Sequence, residues 1–177
     1  ITDFGVHKYW ISPHVDLYLV PSTDVRRKMV RLGVSEDRIR VTGIPVDLHF
    51  ASRGDRRAER MALGLAPHRP TVLVMGGNYG LGPLEEAVHA LCRLPLGVQV
   101  LVVCGNNRAL LLKMNRHFGE DRHVRVFGLT RSVHRLMDAA DLLISKPGGL
   151  TTSEALAKGL PMVMIDPIPG QEERNAQ

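Results

Sequence analysis

A chain of 177 residues, 44% of them hydrophobic, can build one full core, or one domain plus a piece of another. Its aromatic share of 5% speaks against an aromatic-lined RNA platform, and no apolar run approaches the ~20 residues that span a bilayer as a helix. The formal net charge of +5 is compatible with nucleic acid, an anionic membrane surface or an anionic small substrate.

Apolar β-type runs alternate with helical patterns along the chain. Leu17–Val20 predicts a strand, Thr23–Leu32 a helix and Ile39–Val41 a second strand. Gly43-Ile44-Pro45-Val46 reads as an extended crossing segment, because Pro disfavours helix at the residue before it. Residues 53–69 are charged and read as a linker or an insertion. The helical pattern Arg56–Leu63 lies within them, with Arg56, Arg57 and Arg60 on a solvated face. Strands are then predicted at Thr71–Met75, Val98–Val103, Val124–Val126, Leu142–Ile144 and Met162–Ile165. Helices are predicted at Pro83–Leu91, Asn107–Phe118, Ser132–Ala139 and Thr151–Lys158. Val72–Met75 and Val100–Val103 are apolar without alternation, the mark of strands covered on both faces. The repeated alternation implies the α/β class, with a Rossmann-like, doubly wound parallel sheet. In such sheets ligands bind at the carboxyl ends of the strands.

Three glycine-bearing loops fall at those ends. The first is Gly76-Gly77-Asn78-Tyr79-Gly80-Leu81-Gly82, between a strand and a helix that opens on Pro83. It matches neither GxGxxG nor GxxxxGK[ST], so neither a dinucleotide fingerprint nor a P-loop is supported. The second runs Ser145-Lys146-Pro147-Gly148-Gly149-Leu150-Thr151-Thr152-Ser153-Glu154. Here a strand turns into a helix, so backbone N–H groups and the helix dipole favour an anion, and hydroxyls stand in the first turn. Glu154 places a carboxylate about one turn further on, where ribose hydroxyls could meet it. The same pattern also serves ordinary helix capping. Phe127-Gly128-Leu129-Thr130 could offer backbone groups to a flat base, and Gln171 and Glu172 could bind sugar hydroxyls. A plain turn and a capped helix start are the alternatives at these two places.

Cys92 and Cys104 lie in apolar runs with no CxxC, which reads as buried thiols in a reducing compartment. The eight histidines show no HExxH and no ligand-like spacing, so no metal site is expected. Basic residues are scattered, which with the few aromatics argues against nucleic acid. The closing run Glu172–Gln177 reads as a helix cut short, and the chain is expected to be a piece of a longer protein.

The strings MGGNYGLGP, SKPGGLTTSEALAKGLP and PIPGQEERNA, in this order, resemble the C-terminal half of GT-B glycosyltransferases. The group is that of MurG, plant-type monogalactosyldiacylglycerol synthase and the bacterial processive diacylglycerol glucosyltransferases. TDFGVHKYW and VDLYLVPSTDVRRKMVRLGV resemble its lipid-glycosylating members. The resemblance implies that residues 1–45 end an N-terminal acceptor domain and cross over, and that 46–177 form a UDP-sugar-binding domain truncated before its final helix. It implies that Gly76, Gly77 and Gly80 lie along the diphosphate and the interdomain cleft. Leu129 and Thr130 would meet the uracil. Gly148, Gly149, Leu150, Thr151 and Thr152 would hold the diphosphate, Glu154 the ribose, and Gln171 and Glu172 the donor sugar. His7 and Trp10 would stand on the acceptor side. The general base would belong to the N-terminal domain, most of which this sequence lacks. The implied reaction moves a hexose from UDP-glucose or UDP-galactose to a lipid such as diacylglycerol, with no cofactor. The implied place is the cytoplasmic face of an anionic membrane. A MurG-like enzyme with another acceptor, or a non-catalytic nucleotide-sugar-binding subunit, would carry the same loops.

Overall fold

A computed structural model describes residues 1–168 and 172–175. Two parallel sheets organise them. Strands β1 (Tyr18–Val20) and β2 (Ile39–Val41) pair in parallel and pack with helix α1 (Thr23–Arg31). Val6, Tyr18, Val20, Val25, Met29, Val34 and Ile39 form their own apolar cluster. The Ser22 side chain accepts from Val25 N–H and so caps α1.

The larger sheet holds β3 (Thr71–Met75), β4 (Gln99–Val103), β5 (Val124–Phe127), β6 (Leu142–Ser145) and β7 (Met162–Met164). Its order is β5-β4-β3-β6-β7, and every neighbouring pair is parallel. Successive strand residues face opposite sides. Leu73, Met75, Leu101, Val103 and Leu143 pack against Leu136, Met137 and Ala155, from α5 (Val133–Ala139) and α6 (Gly149–Lys158). Val72, Val74, Val100, Val102 and Val124 pack against Leu84, Val88, Met114 and Phe118, from α3 (Leu84–Cys92) and α4 (Arg108–Phe118). The sheet is therefore doubly wound, as the unalternated apolar runs require.

Residues 53–69 are not a free linker. Helix α2 (Arg56–Ala62) packs on α5, and Leu65 joins the core on that side. Arg60, expected on a solvated face, is buried. Its Nε donates to Ala139 O at 2.8 Å, and its guanidinium pairs with Asp141 at 2.6 Å. Asp141 also accepts from Thr71 N–H at 2.9 Å, so one carboxylate ties α2 to the starts of β3 and β6. The stretch just before α2 is anchored at Lys158, whose buried ammonium pairs with Asp138 at 2.8 Å and donates to Ser52 O. Cys104 is buried, and burial pushes its thiol up to about 11. Cys92, also expected inside, is exposed at the end of α3.

Candidate functional site

The chain leaves β3 toward β4 on one side and later enters β6 on the other. The carboxyl ends of β3 and β6 thus flank the switch point, where open α/β sheets bind ligands. A cavity of about 250 Å³ lies there. The loop after β3 supplies Gly76, Gly77, Asn78, Tyr79 and Leu81, and the turn after β6 supplies Lys146, Gly148, Gly149, Leu150 and Thr151. Glu172, Thr2 and Asp3 complete its wall.

One side of the cavity carries hydrogen-bond donors. Helix α6 starts at Gly149, two residues earlier than the sequence pattern suggests, and no side chain caps it. Its first N–H groups and dipole therefore face the cavity as donors for an anion. Lys146 adds a full charge, and its ammonium pairs with Oε1 of the buried Glu172. The other carboxylate oxygen of Glu172 accepts from Ile168 N–H at 3.1 Å. Glu172 thus holds Lys146 in place, in addition to lining the cavity. Gly77 sits at φ +68°, and a Cβ there would come within 3.1 Å of Lys146 Cε. This glycine lets the first loop approach the lysine.

The N-terminal segment forms one wall. A Cβ on Gly149 would lie 1.6 Å from Thr2 O, so only glycine fits at the start of α6. Asn175 fastens this wall. Its Nδ2 donates to Asp3 Oδ1 and to Pro147 O, both at 2.8 Å, and its Oδ1 accepts from Phe4 N–H at 2.8 Å.

Glu154 stands on α6, one turn past Leu150 and outside the cavity lining. Burial, with a smaller contribution from Asp47, pushes its carboxyl up to about 7. Asp47 itself is held below the usual carboxylate range by the His49 N–H and ring. The His49 Nδ1 lies 2.6 Å from Asp47 Oδ1, and the His49 and His134 rings are 4.8 Å apart. Asp47, His49 and His134 thus form a group whose carboxylate acts on Glu154, a grouping that residue spacing gave no sign of.

Other expected site residues stand apart from the cavity. Gly80 packs against the Cys104 carbonyl, which a Cβ would approach to 2.4 Å; it serves loop packing. The Thr152 hydroxyl is buried without a partner and turned into the fold. Leu129 is exposed, and Thr130 Oγ1 accepts from Ser132 N–H, as a turn residue does. His7 caps a short 3-10 turn that ends on Trp10, and its Nδ1 accepts from Tyr9 N–H. Gln171 lies outside the described residues. Lys146 and Asn175 were not singled out from the sequence. A lysine directly before a Pro-Gly-Gly helix start was the available signal for Lys146. Asn175 carried none, because its partners lie up to 172 positions away.

Comparisons with known proteins assign the chain's family and fold. The sequence profile described as Monogalactosyldiacylglycerol (MGDG) synthase matches residues 1–46, and that of the Glycosyltransferase family 28 C-terminal domain matches residues 71–177. A processive diacylglycerol beta-glucosyltransferase of Staphylococcus carnosus is 35% identical over 177 residues, spanning 99% of this chain and 45% of that protein. The chain thus spans about half the length of the relatives it matches. Two solved structures share the fold at 20% identity, each covering 86% of this chain. They are Anabaena Alr3699/HepE in complex with UDP and glucose (TM-score 0.58, 45% of that chain) and Acinetobacter baumannii MurG (TM-score 0.59, 46% of that chain). The α/β fold is thus that of a GT-B C-terminal domain. With the profile match spanning the whole doubly wound sheet and both cavity loops, the chain belongs to glycosyltransferase family 28.

Proposed function

We propose that this chain is the UDP-sugar-binding part of a glycosyltransferase that passes a hexose to a lipid hydroxyl, with diacylglycerol as acceptor. The observation that carries the reading is the pairing of an uncapped α6 N-terminus with Lys146 in a cavity at the β3/β6 switch point. The diphosphate lies against the first N–H groups of α6 and the Lys146 ammonium. As the acceptor oxygen attacks the anomeric carbon, negative charge grows on the departing UDP. Fixed donors aimed at that charge stabilise the transition state more than the ground state. Glu154 receives the ribose hydroxyls, Leu129 and Thr130 offer backbone groups to the uracil, and Glu172 with Gln171 faces the sugar. No resident cofactor is required.

Residues 1–45 are the end of the acceptor domain, with His7 and Trp10 on the acceptor side, and residues 46–177 are the donor domain. The separate apolar cluster of the first part supports that division. The general base belongs to the part of the acceptor domain that this chain lacks, so the chain alone binds donor without turning it over. The acceptor follows from the names of the relatives, and so does glucose as the first donor to test; galactose remains the second. Among the described residues no helix is long and apolar enough to cross a membrane. Contact with an anionic bilayer on the cytoplasmic side is peripheral. Arg26, Arg27, Lys28 and Arg31 on α1 supply the charge for it.

Calorimetric titration of the chain with UDP, UDP-glucose, UDP-galactose and NAD tests the reading. Binding of the uridine ligands without NAD is the expected result. Equal binding of NAD, or transfer to diacylglycerol by this chain alone, would contradict it.

A further inference from the structure

A group of potential metal ligands stands away from the donor cavity, on the α3/α4 layer. Glu85 and His89 lie four residues apart on α3 and so share one helix face. His117, in the last turn of α4, meets them from the neighbouring helix. One ligand atom from each of the three lies within 4.8 Å of the others. The His117 Nδ1 is 2.7 Å from Glu85 Oε1, and the His89 Nε2 is 4.0 Å from the same oxygen. None of the three lines the donor cavity. The cluster is invisible in the sequence because His89 and His117 stand 28 positions apart, with a whole strand between them.

We propose that Glu85, His89 and His117 form a binding site for one borderline divalent cation of the Zn²⁺ class, joining α3 to α4. Two imidazoles and one carboxylate are a donor set that Zn²⁺, Co²⁺ and Ni²⁺ favour over Mg²⁺ or Ca²⁺, with a remaining position for water. The ion takes the place now filled by the hydrogen bond between His117 and Glu85. The Phe118 ring, 4.7 Å from that of His89, backs one ligand. Lys113 competes for the site, because its ammonium pairs with Glu85 Oε2. The role is that of a staple. A cation bound across two helices of the folded state raises stability by mass action.

The test uses the untagged full-length protein, titrated with Co²⁺ and then with Zn²⁺ in competition. Visible ligand-field absorption reports imidazole coordination, and melting temperature is followed in parallel. One ion per chain is expected, with a melting temperature that rises on adding Zn²⁺. His89→Ala and His117→Ala should each weaken binding by more than the ~10–100-fold that loss of an outer-shell partner costs. Lys113→Met should tighten it, which a chance surface contact would not do. Both imidazoles are close to half exposed, so these substitutions spare the core, and circular dichroism checks it. A missing Co²⁺ spectrum, binding retained in either histidine variant, or no gain in Lys113→Met overturns the proposal.

Discussion

Replacing Glu154 with Gln should make the protein more stable at alkaline pH while weakening its hold on UDP. The carboxyl is pushed up to about 7 by burial and then by Asp47. In the unfolded chain an ordinary Glu loses its proton near ~4.3. Between these values the folded state holds more protons than the unfolded state, so stability falls as pH rises from ~4.3 toward 7. Above about 7 the full penalty applies. A shift of this size corresponds to roughly 3–4 kcal/mol. The group is partly open to water, and screening reduces the figure to about 1–2 kcal/mol. Gln keeps the shape and removes the charge. Glu154→Gln should therefore gain about 1–2 kcal/mol near pH 8, or about 2–8 °C in Tm for a chain of this size, and almost nothing near pH 4.5. Urea unfolding followed by circular dichroism at both pH values measures the difference. Calorimetry with UDP should show a loss of about 1–3 kcal/mol, because a charged acceptor for the ribose hydroxyls has gone. A variant no more stable than the parent near pH 8 would refute the burial argument. Undiminished UDP affinity would remove Glu154 from the donor site.

Lys146→Ala should lower UDP affinity by about 1.5–3 kcal/mol, the range for a hydrogen bond to a charged group, and should lower stability too by leaving Glu172 buried and unpaired. Calorimetry and a denaturation curve separate the two effects. Lys158→Met should destabilise by about 3–5 kcal/mol, since it strands the buried Asp138, and Asp138→Leu on top of it should restore much of the loss. Urea midpoints of the single and double variants check this. Gly149→Ala should abolish measurable UDP binding, because its methyl group would occupy the position of the Thr2 carbonyl. UDP affinity equal to the parent's would mean that the Thr2 wall is not part of the site.

Local signals carried most of the architecture. All seven strands and six helices described here lie where apolar runs and helical patterns predicted them, within one or two residues. The parallel topology followed from strands without alternation. What remained hidden depends on residues distant in sequence. The Arg60 charge reads as solvated until Asp141, 81 positions away, is seen to receive it. The need for glycine at 149 is set by Thr2, 147 positions away, whose carbonyl leaves no room for a Cβ there. The glycine loops marked the cavity from the sequence because they must bend sharply and lie close to something. The side chains that give the cavity its charge and its wall, Lys146 with Glu172 and Asn175 with Asp3, are brought together only by the folded chain.

The Asn175 fastening bears on how firmly the cavity keeps its shape. Three hydrogen bonds hold Thr2–Phe4 and the turn after β6 to one side chain. Parting these two segments would break all of them together. The cavity wall is therefore pinned at this edge like a door at its jamb, whereas Tyr79 and Leu81, which also line the cavity, stand exposed to solvent.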